Sequence, residues 1–199
     1  MRKIILIEDR PGRQAQFLDQ KKIDRLLNTE GLDMPQESEC RTWIENLNSG
    51  KTEGISSFDL VIIHRSSLIQ EGLTALNSIC KKNEIDLVLF SGGLSQSNYQ
   101  NEGFESLSLN SQDFYSDNLL SFIDDYIGEE SSSLLQLIYG NNWKLGALLQ
   151  YRLLKSKYES EEDTGVQIIL EDKLDSMEKS LEFDWNNLDK EIDKLIAAI

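Results

Sequence analysis

Short apolar runs punctuate the first half of the chain. Ile4-Ile5-Leu6-Ile7, Phe58-Asp59-Leu60-Val61-Ile62-Ile63 and Ile85-Asp86-Leu87-Val88-Leu89-Phe90 are nearly continuous in apolar character and rich in branched side chains. Such runs suit strands buried on both faces of a parallel sheet. Phe104-Glu105-Ser106-Leu107-Ser108-Leu109 alternates apolar with polar, as a half-buried or edge strand does. Between these runs the apolar positions recur at helical spacing. Phe17, Leu18, Ile23, Leu26 and Leu27 predict a helix over 14–28, and Leu68, Leu73, Leu76 and Ile79 predict a second. Phe114, Leu119, Leu120, Phe122, Ile123 and Ile127 predict a third, with Asn110 or Ser111 as its N-cap and Gly128 as its C-cap. Residues 29–50 carry breakers at Glu30-Gly31 and Met34-Pro35, and within them only 42–47 predict a short helical turn. Strands alternating with helices predict an α/β domain whose parallel sheet is covered on both faces.

After Gly128 the pattern changes. Glu129-Glu130-Ser131-Ser132-Ser133 reads as a polar break or short linker. Helical patterning then runs over 134–158, interrupted near 139–143, with a second helix over 144–159. Residues 159–165 are acidic and loop-like, and 166–170 is compatible with a strand or with the start of a helix. Leu170, Leu174, Met177 and Leu181 stand four, three and four residues apart, and Leu188, Ile192, Leu195 and Ile199 repeat that spacing. These are helix stripes. They fit packing on the chain's own body or a face for a second copy or a partner, so a homodimer through the C-terminal helices is one expectation. The division expected is 1–128 for the α/β domain and 129–199 for a helical extension.

Composition narrows the function. The 199 residues carry 20 Lys+Arg against 35 Asp+Glu, a net charge of −15. A surface so acidic repels phosphate backbones and argues against nucleic acid as a partner. Mean hydropathy is −0.40, no run approaches the length of a membrane span, and the N-terminal apolar run is too short for a signal peptide. A cytoplasmic protein with no membrane association is expected. Cys40 and Cys80 are too few for a disulfide framework or a zinc site on their own. His64 is the single histidine, which limits imidazole chemistry to one position. Neither a Walker A loop, nor a dinucleotide fingerprint, nor a Gly-x-Ser-x-Gly elbow occurs.

In a parallel α/β sheet, chemistry gathers beyond the carboxyl ends of the strands. The residues there are Glu8, Asp9, His64, Ser91, Gly92 and Asn110. Glu8 and Asp9 are two adjacent carboxylates able to hold Mg²⁺ weakly with the help of water. With His64 they form a set better suited to a transition metal. Asp9, His64 and Ser91 also invite a hydrolase reading, provided that nucleophile, base and acid touch one another.

Ile4-Ile5-Leu6-Ile7-Glu8-Asp9, the run from Phe58 to His64, and Leu87-Val88-Leu89-Phe90-Ser91-Gly92 together resemble the receiver domain of bacterial response regulators. The resemblance covers residues 1–128. It implies a flavodoxin-like, doubly wound domain with a five-stranded parallel sheet. It implies that Glu8 and Asp9 match the Mg²⁺-holding acids and that Ser91 matches the switch hydroxyl. His64 stands where the family has its phosphoacceptor aspartate, and Asn110 or a neighbour where it has a lysine. Imidazole is a poor Mg²⁺ ligand, and an amide brings no positive charge to a phosphoryl group. The expectation is a vestigial cleft made of Glu8, Asp9, His64, Ser91 and Asn110, in a non-catalytic module that works by protein contacts in bacterial signalling or conflict systems. No cofactor is expected beyond weak Mg²⁺. A receiver that still switches on a cation or ligand at the Glu8/Asp9 cleft is the alternative.

Overall fold

In the computed structural model, residues 1–101, 103–129, 133–181 and 183–198 are described, with the side chains of Pro11 and Ser180 excepted. The linker positions Glu130, Ser131 and Ser132, and the stripe position Ile199, lie outside the described residues. The chain divides into two compact units, 1–99 with 103–140 and 100–102 with 141–199.

The first unit is built on β1 (Ile4–Ile7), β2 (Leu32–Asp33), β3 (Leu60–His64), β4 (Asp86–Phe90), β5 (Asn98–Asn101) and β6 (Glu105–Leu109), in the sheet order β2-β1-β3-β4-β6-β5. Five of the strands pair in parallel, with Ile4 beside Leu60, Leu60 beside Asp86 and Leu87 beside Ser106. The expected five-stranded count is therefore corrected to six. Asn98–Asn101 carries no apolar alternation, so nothing in its pattern marks it as a strand. The run beginning at Phe104 is correspondingly not an edge, because β5 stands outside it. The link between β5 and β6 turns at Gly103 (φ +91°) and is far too short for a parallel crossover.

The period-two alternation of strand side chains sorts the core into two layers. Ile4, Leu6, Leu60, Ile62, Val88, Phe90, Leu107 and Leu109 face one side. There they meet Leu26 of α2 (Gln20–Leu27) and Leu119, Phe122 and Ile123 of α6 (Asn118–Ile127). Ile5, Ile7, Val61, Ile63, Leu87 and Leu89 face the other. There they meet Cys40 and Leu47 of α3 (Glu37–Asn48) and Leu76 and Cys80 of α4 (Gln70–Asn83). This is the coverage that a doubly wound sheet requires.

Several helices differ from expectation for local reasons. The helix expected over 14–28 splits into α1 (Pro11–Gln14) and α2, because Asp19 accepts the Lys22 N–H at 3.0 Å and starts a new helix there. In place of a turn at 42–47 there is the full helix α3. Its entry is tied by Glu39 Oε2, which accepts the Gln36 N–H at 2.9 Å. The helix expected before Gly128 is likewise two pieces, α5 (Ser111–Phe114) and α6. Gly128 does sit at the C-cap, but in right-handed conformation (φ −70°), and the positive φ falls on Glu129 (φ 59°).

The segment after Gly128 belongs to the first unit as far as Gly140. It contains α7 (Gln136–Tyr139), and Leu134 and Leu137 are buried in the first core layer. Gly140 (φ +60°) lies so close to Asn118 that an added Cβ would stand 2.8 Å from its Oδ1, so both backbone and space require glycine there.

The second unit contains α8 (Trp143–Ser160), α9 (Thr164–Ser180) and α10 (Leu188–Ile196), with α8 packed against both partners. Residues 166–170 are helix, not strand. Leu170, Leu174, Met177 and Leu181 are all buried, so this stripe is satisfied inside the single chain. Ile192 of the second stripe is buried as well. Asp163 caps α9, accepting the Gly165 and Val166 N–H groups at 2.8 and 3.1 Å. Replacing Asp163 by alanine is expected to lower the stability of this unit by about 1 kcal/mol, read as a lower urea midpoint at unchanged slope. An unchanged midpoint would show that the cap contributes nothing. No helix among the described residues is long and apolar enough to cross a membrane.

Candidate functional site

Every residue singled out at a strand end lies at the carboxyl edge of the parallel strands. Glu8 and Asp9 follow β1, His64 is the last residue of β3, Ser91 follows β4 and Asn110 follows β6. The structure does not, however, gather all five into one constellation. Glu8, Asp9 and His64 do converge, with one ligand atom from each lying within 4.8 Å of the others. Ser91 turns to Ser66, the two hydroxyls 3.0 Å apart, and accepts the Gly93 N–H at 3.3 Å. His64 Nδ1 faces Ser67 Oγ at 3.3 Å. Among the described residues no hydrogen bond joins His64 to Ser91, so the chain Asp9–His64–Ser91 that a hydrolase needs is not connected. Asn110 has an architectural task. Its Nδ2 donates to the Gly92 and Leu94 carbonyls at 3.3 and 2.8 Å, and its Oδ1 accepts the Gln112 N–H at 2.8 Å.

Three residues that sequence reasoning did not select complete the surroundings of Glu8. Oε1 accepts the Arg10 N–H at 3.1 Å and stands 3.5 Å from Arg13 Nη1. Oε2 accepts the Tyr115 O–H at 3.2 Å. Tyr115 lies more than a hundred positions along the chain, and no local pattern links it to Glu8.

Burial dominates the protonation of this cluster. Desolvation raises Glu8 from 4.5 to about 7, against the opposing pull of Arg13 and the Arg10 N–H. Desolvation, then the Arg13 charge, lowers His64 from 6.5 to about 4 in spite of Asp9. Near neutral pH, then, the imidazole is neutral, and Glu8 is far more readily protonated than an ordinary carboxylate. Tyr115 is pushed up by burial and by Glu8. Cys40 and Cys80 are free, buried thiols, the latter pushed up to about 12 by desolvation, too high for a reactive thiolate.

The Mg²⁺ implied by the receiver resemblance does not fit this donor set. Both Glu8 oxygens are engaged, one of them beside a guanidinium, and the third position is an imidazole. Mg²⁺ asks for several oxygen ligands in near-octahedral array. Asp9 Oδ1 is buried and without a hydrogen-bond partner, and Asp9 Oδ2 has only a 3.9 Å contact with Arg10 Nε. Two carboxylates with an imidazole suit a transition metal better, but Arg13 occupies the approach to Glu8. In comparisons with known proteins, no family model, no curated protein and no solved structure matches this chain.

Proposed function

We propose that the first unit is a receiver-like module which no longer transfers phosphoryl groups and works through protein contacts, in the cytoplasm of a bacterium. One observation carries this reading: the last position of β3, where the resemblance places the phosphoacceptor carboxylate, holds a neutral imidazole packed edge-on against Phe90 (centroids 5.3 Å apart). A neutral His64 offers neither the nucleophilic oxygen nor the Mg²⁺ ligand that aspartyl phosphorylation uses. The strand order and the acidic pair after β1 support the likeness. The engagement of Glu8 by Arg13 and Tyr115 supports the loss of chemistry. With a net charge of −15, partners are sought among proteins and not nucleic acids.

Incubation with Mg²⁺ and acetyl phosphate is expected to leave the intact mass unchanged. A stable gain of about 80 Da, mapped to Glu8 or Asp9, would overturn the reading. A module that still switches, on a ligand instead of a phosphoryl group, is the second reading. It is favoured by the open, donor-lined cleft in front of His64.

A further inference from the structure

We infer that the depression at the carboxyl ends of β1, β3 and β4 is a binding site for a phosphate monoester with a flat organic group. It would be held by Arg10 and Arg13, by the Ser66, Ser91 and Ser111 hydroxyls, and by the ring of Phe17. The inference goes beyond the non-catalytic reading and does not depend on it.

The depression measures about 650 Å³ and is open to solvent, within the size range of small-molecule sites. Its lining runs against the character of the chain. Among the described residues that border it are two arginines, three serines and a histidine, but no carboxylate. In a protein of net charge −15, a lining that presents arginine and no carboxylate is a local exception that favours anions, and the nearest acids, Glu8 and Asp9, stand 3.5 and 3.9 Å from Arg13 and Arg10.

Two donors there lack partners. Ser111 is only 2% exposed, and its Oγ has no hydrogen-bond partner. Arg13 Nη1 is buried and makes only the 3.5 Å ion pair with Glu8, with no hydrogen bond. Buried polar groups are ordinarily satisfied, and these two donors, which have no accessible surface as they stand, would meet a ligand's acceptors after a rotation of their side chains. Ser66 and Ser91, hydrogen-bonded to each other, add hydroxyls that can reorient toward such acceptors. Arg10 is largely exposed at the rim, where its only ion pair among the described residues is the long 3.9 Å contact with Asp9 Oδ2 that an anion would compete with. Guanidinium groups bind phosphate oxygens in pairs and remain charged at all relevant pH. Two of them with several hydroxyls match a tetrahedral dianion better than a planar, singly charged carboxylate.

Phe17 supplies the selectivity for what the phosphate carries. One face of its ring stacks on Tyr115, with centroids 5.5 Å apart and planes 12° apart. The ring is nevertheless 38% exposed and borders the cleft. An exposed aromatic held rigidly from behind is a shelf for another planar group. Gly92 has nothing within 4 Å of where a Cβ would stand, which keeps the opposite wall bare.

The test is calorimetric titration of the full chain with phenyl phosphate, inorganic phosphate, benzoate and phenol. Phenyl phosphate is expected to bind about tenfold more tightly than inorganic phosphate, with phenol silent and benzoate weaker than phenyl phosphate. Phe17→Ala is expected to reduce phenyl phosphate to the level of inorganic phosphate. Arg13→Ala is expected to weaken both at least tenfold. Arg10→Ala, at an exposed position where folding is not at stake, is expected to weaken both several-fold and to flatten the salt dependence. No binding of either phosphate at about 10 mM, or binding unaffected in both arginine variants, would overturn the inference. Benzoate binding as tightly as phenyl phosphate would overturn the ligand class. Binding without a mass increase leaves the non-catalytic reading intact, and a covalent adduct would defeat that reading alone.

Discussion

Replacing Glu105 by alanine is expected to lower the unfolding free energy of the first unit by about 2–3 kcal/mol. Glu105 opens β6 and is half-buried, and its oxygens accept four short contacts. Oε1 takes the Tyr99 and Ser133 hydroxyls, each at 2.9 Å, and Oε2 takes Ser133 Oγ at 3.0 Å and the Leu134 N–H at 2.5 Å. Desolvation raises its pKa, while those donors pull the other way. The alanine variant strands the Leu134 N–H and the Ser133 hydroxyl in the interior and leaves a cavity beside them. Residues 133 and 134 lead into the segment whose Leu134 and Leu137 close the first core layer, so that segment should lose hydrogen-exchange protection first. Glu105→Gln keeps the shape and one acceptor oxygen and should cost clearly less. Since a whole domain is stable by only about 5–15 kcal/mol, the alanine effect is large enough to read by urea unfolding. A loss below about 1 kcal/mol would show that the network is not holding the segment.

The second large effect is a hidden pH dependence. Folding raises Glu8 from 4.5 to about 7, so between those values the folded state binds more protons than the unfolded one, and this term weakens the fold as pH rises. Folding lowers His64 from 6.5 to about 4, so there the unfolded state binds more protons, and this term strengthens the fold as pH rises. The two slopes oppose each other across roughly pH 4.5–6.5 and largely cancel. Arg13 and Arg10 act on both groups, Asp9 faces both, and Tyr115 touches Glu8. Asp86 and Glu105, also raised by burial, tilt every curve in the Glu8 sense, so variants must be compared with the parent. Relative to it, Glu8→Gln should gain a rise of about 3 kcal/mol between acid and neutral pH, and His64→Gln the opposite. Unfolding curves for parent and Glu8→Gln that stay parallel from pH 4.5 to 7 would refute the assignment.

What the sequence disclosed follows from burial. β1, β3 and β4 are legible because both their faces are covered, which demands unbroken apolar character. β5 is illegible because only Tyr99 of its four residues, Asn98-Tyr99-Gln100-Asn101, packs against the apolar core. α3 escaped because its two buried residues, Cys40 and Leu47, stand two turns apart, and because glutamine is an uncommon residue at its entry. At the site, topology alone placed Glu8, Asp9, His64 and Ser91. It did not place Tyr115, Arg13 or Ser111, whose roles depend on contacts across the fold. Asn110 was found both for its position at a strand end and as an N-cap, and its Oδ1 does cap α5 by accepting the Gln112 N–H. The cluster of half-buried Asp86 and Glu105 with buried Tyr126, whose O–H donates to Asp86 at 2.8 Å, lies at the opposite ends of the strands. No rule of strand ends points there.

The two margins of the sheet bear on how copies of this protein can meet. β2 is only two residues long, which leaves almost no ladder for a newcomer to extend. The far margin is polar Asn98–Asn101, without the hydrophobic flatness on which strand-by-strand growth feeds. Neither rim offers a long apolar ladder for another strand to extend, so both margins of the sheet are poor templates for amyloid-like stacking.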